Sequence, residues 1–351
     1  MLKVLFTCVT ISPYRNEFFN KLSKLCDLTV CYEKELSEHT HRNQKWAEGQ
    51  VSNYKKVKLN IKKAFIKFTK GDILPLLKKE NFDVVILGHY LSFTARDAIR
   101  YCKKRGIKIG VSADGAIVKK ENILISFIKT QLLKNMSFAL SPSIKTDEYF
   151  LKYKISKDKI YRYNFTSLLQ SDILDFYTRE GKKDITILTI GQFIHRKGFD
   201  LLIKGASRIK GKIQICGAEP PQEYLDLVKQ YNATNIEFLG FKTKQELKEI
   251  YKNCDIFVLP TREDIWGLVI NEAMNYSLPI ITTSTCVAGV ELLDKESIIE
   301  PNSVEQIVSA VNDLVVNYQK RIETGKINNQ KIKSHTIENM AEQTIQILNK
   351  V

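Results

Sequence analysis

No Gly-x-Gly-x-x-Gly follows the first apolar run of this chain, which weakens a dinucleotide-dependent dehydrogenase reading. Asp-x-Asp is missing too, and so is any Cys-x-x-Cys. The seven cysteines, at positions 8, 26, 31, 102, 216, 254 and 286, are odd in number and scattered. Five lie in or beside apolar stretches, so they read as buried free thiols rather than disulfides or zinc ligands. No apolar run is long enough to span a membrane. The opening MLKVLFTCVTISPYRNEFF reads as strand then helix, without the long apolar core and small-residue cleavage site of a secretory signal, so the cytoplasm is the expected home. No RNP, zinc-finger or helix-turn-helix pattern accompanies the basic residues, so no nucleic acid is expected as a partner.

What is present begins with charge. The chain carries +15 over 351 residues, and the surplus is one-sided. Residues 1–175 hold 32 Lys and Arg against 17 Asp and Glu, while the remainder balances at 22 of each. A basic half of this kind either aids solubility or seeks an anionic partner. Two stretches sharpen the second option. Residues 53–70 alternate at first and then read as a basic amphipathic helix with Ile61, Phe65, Ile66 and Phe68 apolar. Residues 119–134 read as a second one, with Ile123, Leu124, Phe127, Ile128, Leu132 and Leu133 apolar. Helices like these fit an anionic membrane surface, or else a core with solvated lysines.

The length suits two domains. Strand, helix, strand at residues 3–9, 16–26 and 28–32 opens a parallel α/β sheet, whose ligands belong at the carboxyl ends of its strands. Two further strands there end at His89 and at Asp114-Gly115. His89 reads equally as a packed or capping histidine, and Asp114-Gly115 as a turn. Residues 165–183 lack sustained periodicity and read as a hinge, and strand 185–190 opens a second sheet. Residues 282–289 read as a loop facing the ligand. The expected domains are 1–170 and 171–335, with 336–351 a terminal helix.

The chain is organised around residues 253–281, NCDIFVLPTREDIWGLVINEAMNYSLPII. They read strand, polar loop, helix, strand. Gly267 opens the helix, whose free N–H groups and dipole favour an anion such as a phosphate. Asp264 and Glu272 stand eight positions apart, about two helical turns, so one acid sits at the helix mouth and the other further down the same face. Such a pair can hold two ends of an elongated polar ligand.

This stretch resembles the acid–seven residues–acid motif of the family 4 (group 1) glycosyltransferases, with Asp264, Gly267 and Glu272-Ala273 in register and Ser277-Leu278-Pro279-Ile280 behind them. The first acid is Asp where the family has Glu, Glu263 stands directly before it, and Ser277 occupies the family's glycine position. A second motif lies upstream. Gly191-Gln192…Arg196-Lys197-Gly198-x-Asp200 resembles the family's Gly-Arg…Lys-Gly-x-Asp, with Gln192 in the arginine's place and Arg196 beside the lysine. The family's glycine-rich loop after the first strand is replaced by Ser12-Pro13-Tyr14-Arg15, where Arg15 is either a compensating charge or plain surface.

The resemblance implies a GT-B fold: α/β, two doubly wound, Rossmann-like parallel-sheet domains facing a central cleft. It also implies transfer of a sugar from a nucleotide-sugar donor (UDP- or GDP-linked) to a hydroxyl of a glycan or polyprenyl-diphosphate-linked saccharide, with retention and with no metal or other cofactor. Carried over to this sequence, Glu272 holds the donor ribose, and Asp264 or Glu263 holds the donor sugar. Lys197 and Arg196 neutralise the leaving diphosphate, which N–H groups of Trp266, Gly267 and Leu268 cap. Gly191 and Gln192 border the donor, Phe241 and Lys242 the nucleobase, and Asp114 and His89 the acceptor. With the basic first half, this points to capsule, O-antigen or exopolysaccharide assembly by a cytoplasmic protein, peripheral on the inner face of the cell membrane. Two rivals are a GT-B-fold sugar-nucleotide epimerase, which needs no acceptor, and a basic nucleic-acid-binding protein.

Overall fold

The computed structural model describes residues 1–35, 51–65, 68–179, 181 and 184–351. The chain forms two compact units, Met1–Gln170 with Thr336–Val351, and Ser171–His335.

The first unit begins β1 (Lys3–Cys8), α1 (Pro13–Leu22), β2 (Asp27–Tyr32), β3 (Lys55–Lys58), β4 (Ile61–Phe65), β5 (Phe68–Gly71), α2 (Leu74–Lys79) and β6 (Val84–Leu87). It continues α3 (Phe93–Arg105), β7 (Lys108–Ser112), α4 (Ile123–Leu133), β8 (Phe138–Ser141), α5 (Ile144–Lys152) and β9 (Ile160–Arg162). Seven strands form one parallel sheet in the order β3-β2-β1-β6-β7-β8-β9. The order reverses between β1 and β6, so residues after those two strands flank the switch point where open α/β sheets place ligands. β6 and β8 are buried at every residue, as strands covered by helices on both faces must be. Ser92 caps α3 through the Ala95 N–H, and Gly106 ends it at φ 70°.

The helix expected after the alternating start of 53–70 does not form among the described residues. β3 adds to the sheet edge, and β4 and β5 pair as an antiparallel hairpin. Short strands interleaving Lys with apolar residues satisfy a helical stripe by accident, and the pairing partners decide. Ile66 lies outside the described residues. The second expected helix forms, but starts only at Ile123, capped by the Asn122 side chain on the Leu124 N–H.

The second unit runs β10 (Thr186–Ile190), α6 (Phe199–Gly205), β11 (Lys212–Cys216), α7 (Gln222–Gln230), β12 (Ile236–Gly240), α8 (Lys244–Asn253) and β13 (Ile256–Leu259). Then come α9 (Leu268–Asn275), β14 (Ile280–Thr283), α10 (Val287–Leu292), β15 (Ile298–Ile299), α11 (Val304–Val316) and α12 (Tyr318–Ile332). Six parallel strands lie in the order β12-β11-β10-β13-β14-β15, with the switch between β10 and β13. Its core gathers Ile187, Phe199, Leu202, Ile213, Ile256 and Val258. Thr243 and Glu246 form a reciprocal capping box on α8.

Two linker readings change. Residues 171–179 belong to the second unit, where the Arg179 guanidinium donates to Tyr276 O at 2.7 Å, Tyr251 O at 3.1 Å and Ser277 O at 3.2 Å. Of the expected loop 282–289, the first two residues extend β14 and the last three open α10, with residues 286–289 buried. The terminal helix α13 (Ile337–Lys350) returns to the first unit. Its Ile337 N–H donates to Leu168 O at 2.7 Å, and Glu338 pairs with Lys21 of α1 at 2.8 Å. All seven cysteines are free, six of them buried.

Candidate functional site

In the second unit, the chain leaving β10 and the chain leaving β13 meet on either side of the switch point. Gly198 makes the meeting possible. It sits at φ 70°, and a Cβ there would lie 2.0 Å from Pro260 O. Only glycine allows that approach. The Arg196 carbonyl then accepts from the Arg262 N–H (2.7 Å), the Glu263 N–H (3.3 Å) and the Thr261 hydroxyl (2.7 Å). The two motifs are thus stitched backbone to backbone.

The side chains follow. The Lys197 ammonium donates to the Asp264 carboxylate, and the two side chains are only 11% and 8% exposed. Asp264 is fixed on both sides, its N–H on Thr285 O (3.1 Å) and its carbonyl accepting from Val287 N–H (3.1 Å). Arg196 stays half in water, with Nη1 donating to Glu263 O at 3.2 Å and lying 3.7 Å from Asp264 Oδ1. Gly191 lies against this lysine: a Cβ there would be 3.6 Å from the Lys197 chain and 3.2 Å from the Phe199 ring. Gln192 is exposed.

α9 supplies the helix mouth. Gly267 is its N-cap at φ 100°, packed so that a Cβ would touch Cys286 Sγ at 3.0 Å. Leu268 is its first residue. Trp266 contributes backbone to the mouth, because its indole is buried and donates to Asn271 Oδ1 at 2.9 Å. Further down, Glu272 Oε2 accepts from the Tyr251 hydroxyl at 2.9 Å. Tyr251 comes from α8 and stacks on Tyr276 with centroids 5.0 Å apart. Burial, and then the Glu272 carboxylate, push the Tyr251 phenol well above its ordinary pKa, so it remains a donor.

Lys197, Arg196, Glu263, Asp264, Gly267 and Leu268 therefore share one rim. Phe241 and Lys242 follow β12, two strands away along the same carboxyl edge. Phe241 is partly exposed, and Lys242 lies 3.8 Å from Glu246.

Sequence reasoning missed two members. Arg262 grips Asp200 with both Nη atoms at 2.7 Å, and also reaches His195 O and Asn302 Oδ1 at 2.7 Å each. Burial alone would raise the Asp200 pKa, but the Arg262 hydrogen bonds and charge outweigh it and hold the carboxyl below its usual value. Asp200 of the second motif thus braces the turn. Tyr251 was the other omission; nothing in its helical pattern marks it.

In the first unit the outcome differs from expectation. Arg15 is neither surface nor free charge. It is buried over the rings of Phe6, Phe18 and Phe165 at 5.4–5.7 Å, and its Nη2 donates to Asp114. Tyr14 donates to the other Asp114 oxygen. Asp114, expected either as part of a turn or on the acceptor side, is clamped after β7 by these two side chains. His89, after β6, is exposed on a shallow hollow that Thr7, Glu33 and Ser92 also line. Atoms crowded around the ring disfavour its protonated form, against the pull of Glu33.

Comparison with known proteins fits this geometry. Residues 171–331 match the family described as glycosyl transferases group 1. The chain is 27% identical over 174 residues to an uncharacterized glycosyltransferase of Methanocaldococcus jannaschii, covering 46% of this chain and 44% of the relative. It is 25% identical over 218 residues to an uncharacterized 41.2 kDa protein in the cps region of Klebsiella pneumoniae, covering 60% and 54%. The chain spans about half the length of these curated relatives. Among solved structures, Anabaena HepE in complex with UDP aligns over 100% of both chains, with a TM-score of 0.79 at 14% identity. The fold is GT-B, and the second unit is similar to the group 1 glycosyl transferases.

Proposed function

We propose that this protein moves a sugar from a nucleotide-sugar donor, UDP- or GDP-linked, to a hydroxyl of a glycan or polyprenyl-diphosphate-linked saccharide in surface-polysaccharide assembly. The reaction retains the anomeric configuration and uses no metal. The observation that carries this reading is the meeting of Lys197, Asp264 and the Gly267 helix mouth at one switch point. A cation, a carboxylate and the N-terminal end of a helix stand where a diphosphate and a sugar would lie side by side.

In this reading Lys197 and Arg196 offset the charge that grows on the leaving diphosphate, and N–H groups of Trp266, Gly267 and Leu268 cap it. A charge-assisted hydrogen bond contributes about 1.5–3 kcal/mol, enough for Arg196 to offset the family arginine replaced by Gln192. Glu272, steadied by Tyr251, accepts from the ribose hydroxyls. Asp264 or Glu263 accepts from the sugar hydroxyls, with Lys197 turning from Asp264 toward the phosphate as the donor arrives. The C1–phosphate bond breaks while the C1–acceptor bond forms on the same face, and the acceptor's proton passes to a leaving phosphate oxygen. Gly191 and Gln192 border the donor, Phe241 and Lys242 the base. Asp114 and His89 line the acceptor side of the first unit, and the protein works in the cytoplasm against the anionic inner face of the membrane. The surface-polysaccharide setting is supported by the Klebsiella relative's place in a cps region.

Calorimetric titration of UDP, GDP and ADP in EDTA tests the donor half. One nucleotide should bind, and Glu272→Ala should weaken it about tenfold or more, the loss of a charge-assisted hydrogen bond. Binding of none, or equal binding by the variant, would remove the basis of the proposal.

A further inference from the structure

We infer that α4 is a membrane-docking element whose outer face enters the surface of an anionic bilayer. This rests on the membrane-borne acceptor proposed above, but its test needs neither donor nor acceptor. α4 has the polarity of a surface helix turned inside out. Ile123, Leu124, Ile125, Phe127 and Ile128 are 87%, 66%, 48%, 58% and 43% exposed, and only Leu133 of its eleven residues is buried. The helix's single charged residue, Lys129, faces inward. Its ammonium lies 2.6 Å from Glu121 Oε2 and 5.3–5.6 Å from the Tyr153 and Tyr149 rings. Glu121 also accepts from the Tyr153 hydroxyl. These inward polar contacts fix which side faces out, and that side is the apolar one. Single exposed apolar residues are ordinary, whereas five together on one helix mark a contact surface.

Charge selects the occupant. Lys119 and Lys120 are exposed at one end of α4, Lys134 at the other, and Lys152 beside Lys119, whose carbonyl it holds at 3.0 Å. The nearest acid, Glu121, is spent inward. The whole first unit carries 33 Lys and Arg against 17 Asp and Glu. A second copy of the chain would press like-charged rims together. Anionic headgroups instead neutralise the lysines while the acyl boundary takes Ile123, Leu124 and Phe127. Eleven residues are about half the length of a membrane span, and no helix among the described residues is long and apolar enough to cross. α4 therefore lies in the interface.

Flotation of the full chain with phosphatidylcholine vesicles, with and without phosphatidylglycerol, reads the docking directly. The protein should float only with the anionic vesicles. Leu124→Glu with Phe127→Glu should weaken binding about a hundredfold, and Lys119→Glu with Lys120→Glu about tenfold or more, both with wild-type thermal melts because all four positions are exposed. Wild type that stays with the lipid-free fraction would overturn the inference, as would a Leu124/Phe127 variant that floats normally. So would a lipid-free dimer that this double variant dissolves, since a second copy would then be the occupant. If nucleotide binds and vesicles do not, docking fails and the transferase reading stands; the reverse result separates them the other way.

Discussion

At the scale of single residues, Ser277 shows how a departure from a family pattern is absorbed. It stands where the family has glycine, and the structure holds it at φ 55°, in the left-handed region that caps α9. Its buried hydroxyl has no partner. Ser277→Gly should therefore stabilise the protein by about 0.5–1 kcal/mol, read as a raised urea midpoint. The Lys197–Asp264 pair behaves oppositely. Both side chains are nearly enclosed, so Asp264→Ala strands a cation and should cost about 3 kcal/mol. Lys197→Met with Asp264→Leu should recover most of that in the same denaturation series, while nucleotide binding stays lost. The residues of this rim were legible because each motif has a fixed internal spacing. Arg262 with Asp200 and Arg15 with Asp114 were not, because they lie 62 and 99 positions apart and no local pattern pairs them.

At the scale of elements, the turn from β10 to α6 is braced rather than loose. Gly198→Ala puts a methyl against Pro260 O and adds a left-handed backbone cost, together more than about 2 kcal/mol. Differential scanning calorimetry should show the fall in melting temperature. The Asp200–Arg262 brace gives a pH signature. The Asp200 pKa is lowered in the fold, so unfolding takes up its proton first as pH falls. Its contribution is full above the unfolded value of about 3.9 and fades as pH drops through the lower folded value. The stability gap between wild type and Asp200→Asn should accordingly hold at neutral pH and close in acid. A gap that widened in acid would reverse the assignment. The helix expected in the later part of 53–70 gives way for a related reason: interleaved Lys and apolar residues suit either period, and the antiparallel pairing of β4 with β5 decides between them. The parallel strands were plain, since β6, β13 and β14 are uninterrupted apolar or β-branched runs.

At the scale of the whole molecule, charge is segregated by unit. The second unit is nearly neutral, with 21 Lys and Arg against 22 Asp and Glu, so the basic character belongs to the first. The chain also closes on itself, because α13 returns Ile337, Met340, Ala341, Ile347 and Leu348 to the first unit's interior. At about 1–2 kcal/mol per buried side chain, this helix exceeds half a typical domain's margin. A chain ending at His335 should lose protection of the first unit in limited proteolysis and still bind nucleotide through the second.

The reaction proposed for this protein is group transfer at the Lys197–Asp264 rim. The most direct test incubates the full chain in EDTA with radiolabelled UDP- and GDP-sugars and a bacterial lipid extract, then partitions the products. Label should move into the organic phase with release of nucleoside diphosphate, and Lys197→Ala should abolish that transfer. Conversion of one nucleotide-sugar to another without extract, or undiminished transfer by Lys197→Ala, would contradict it.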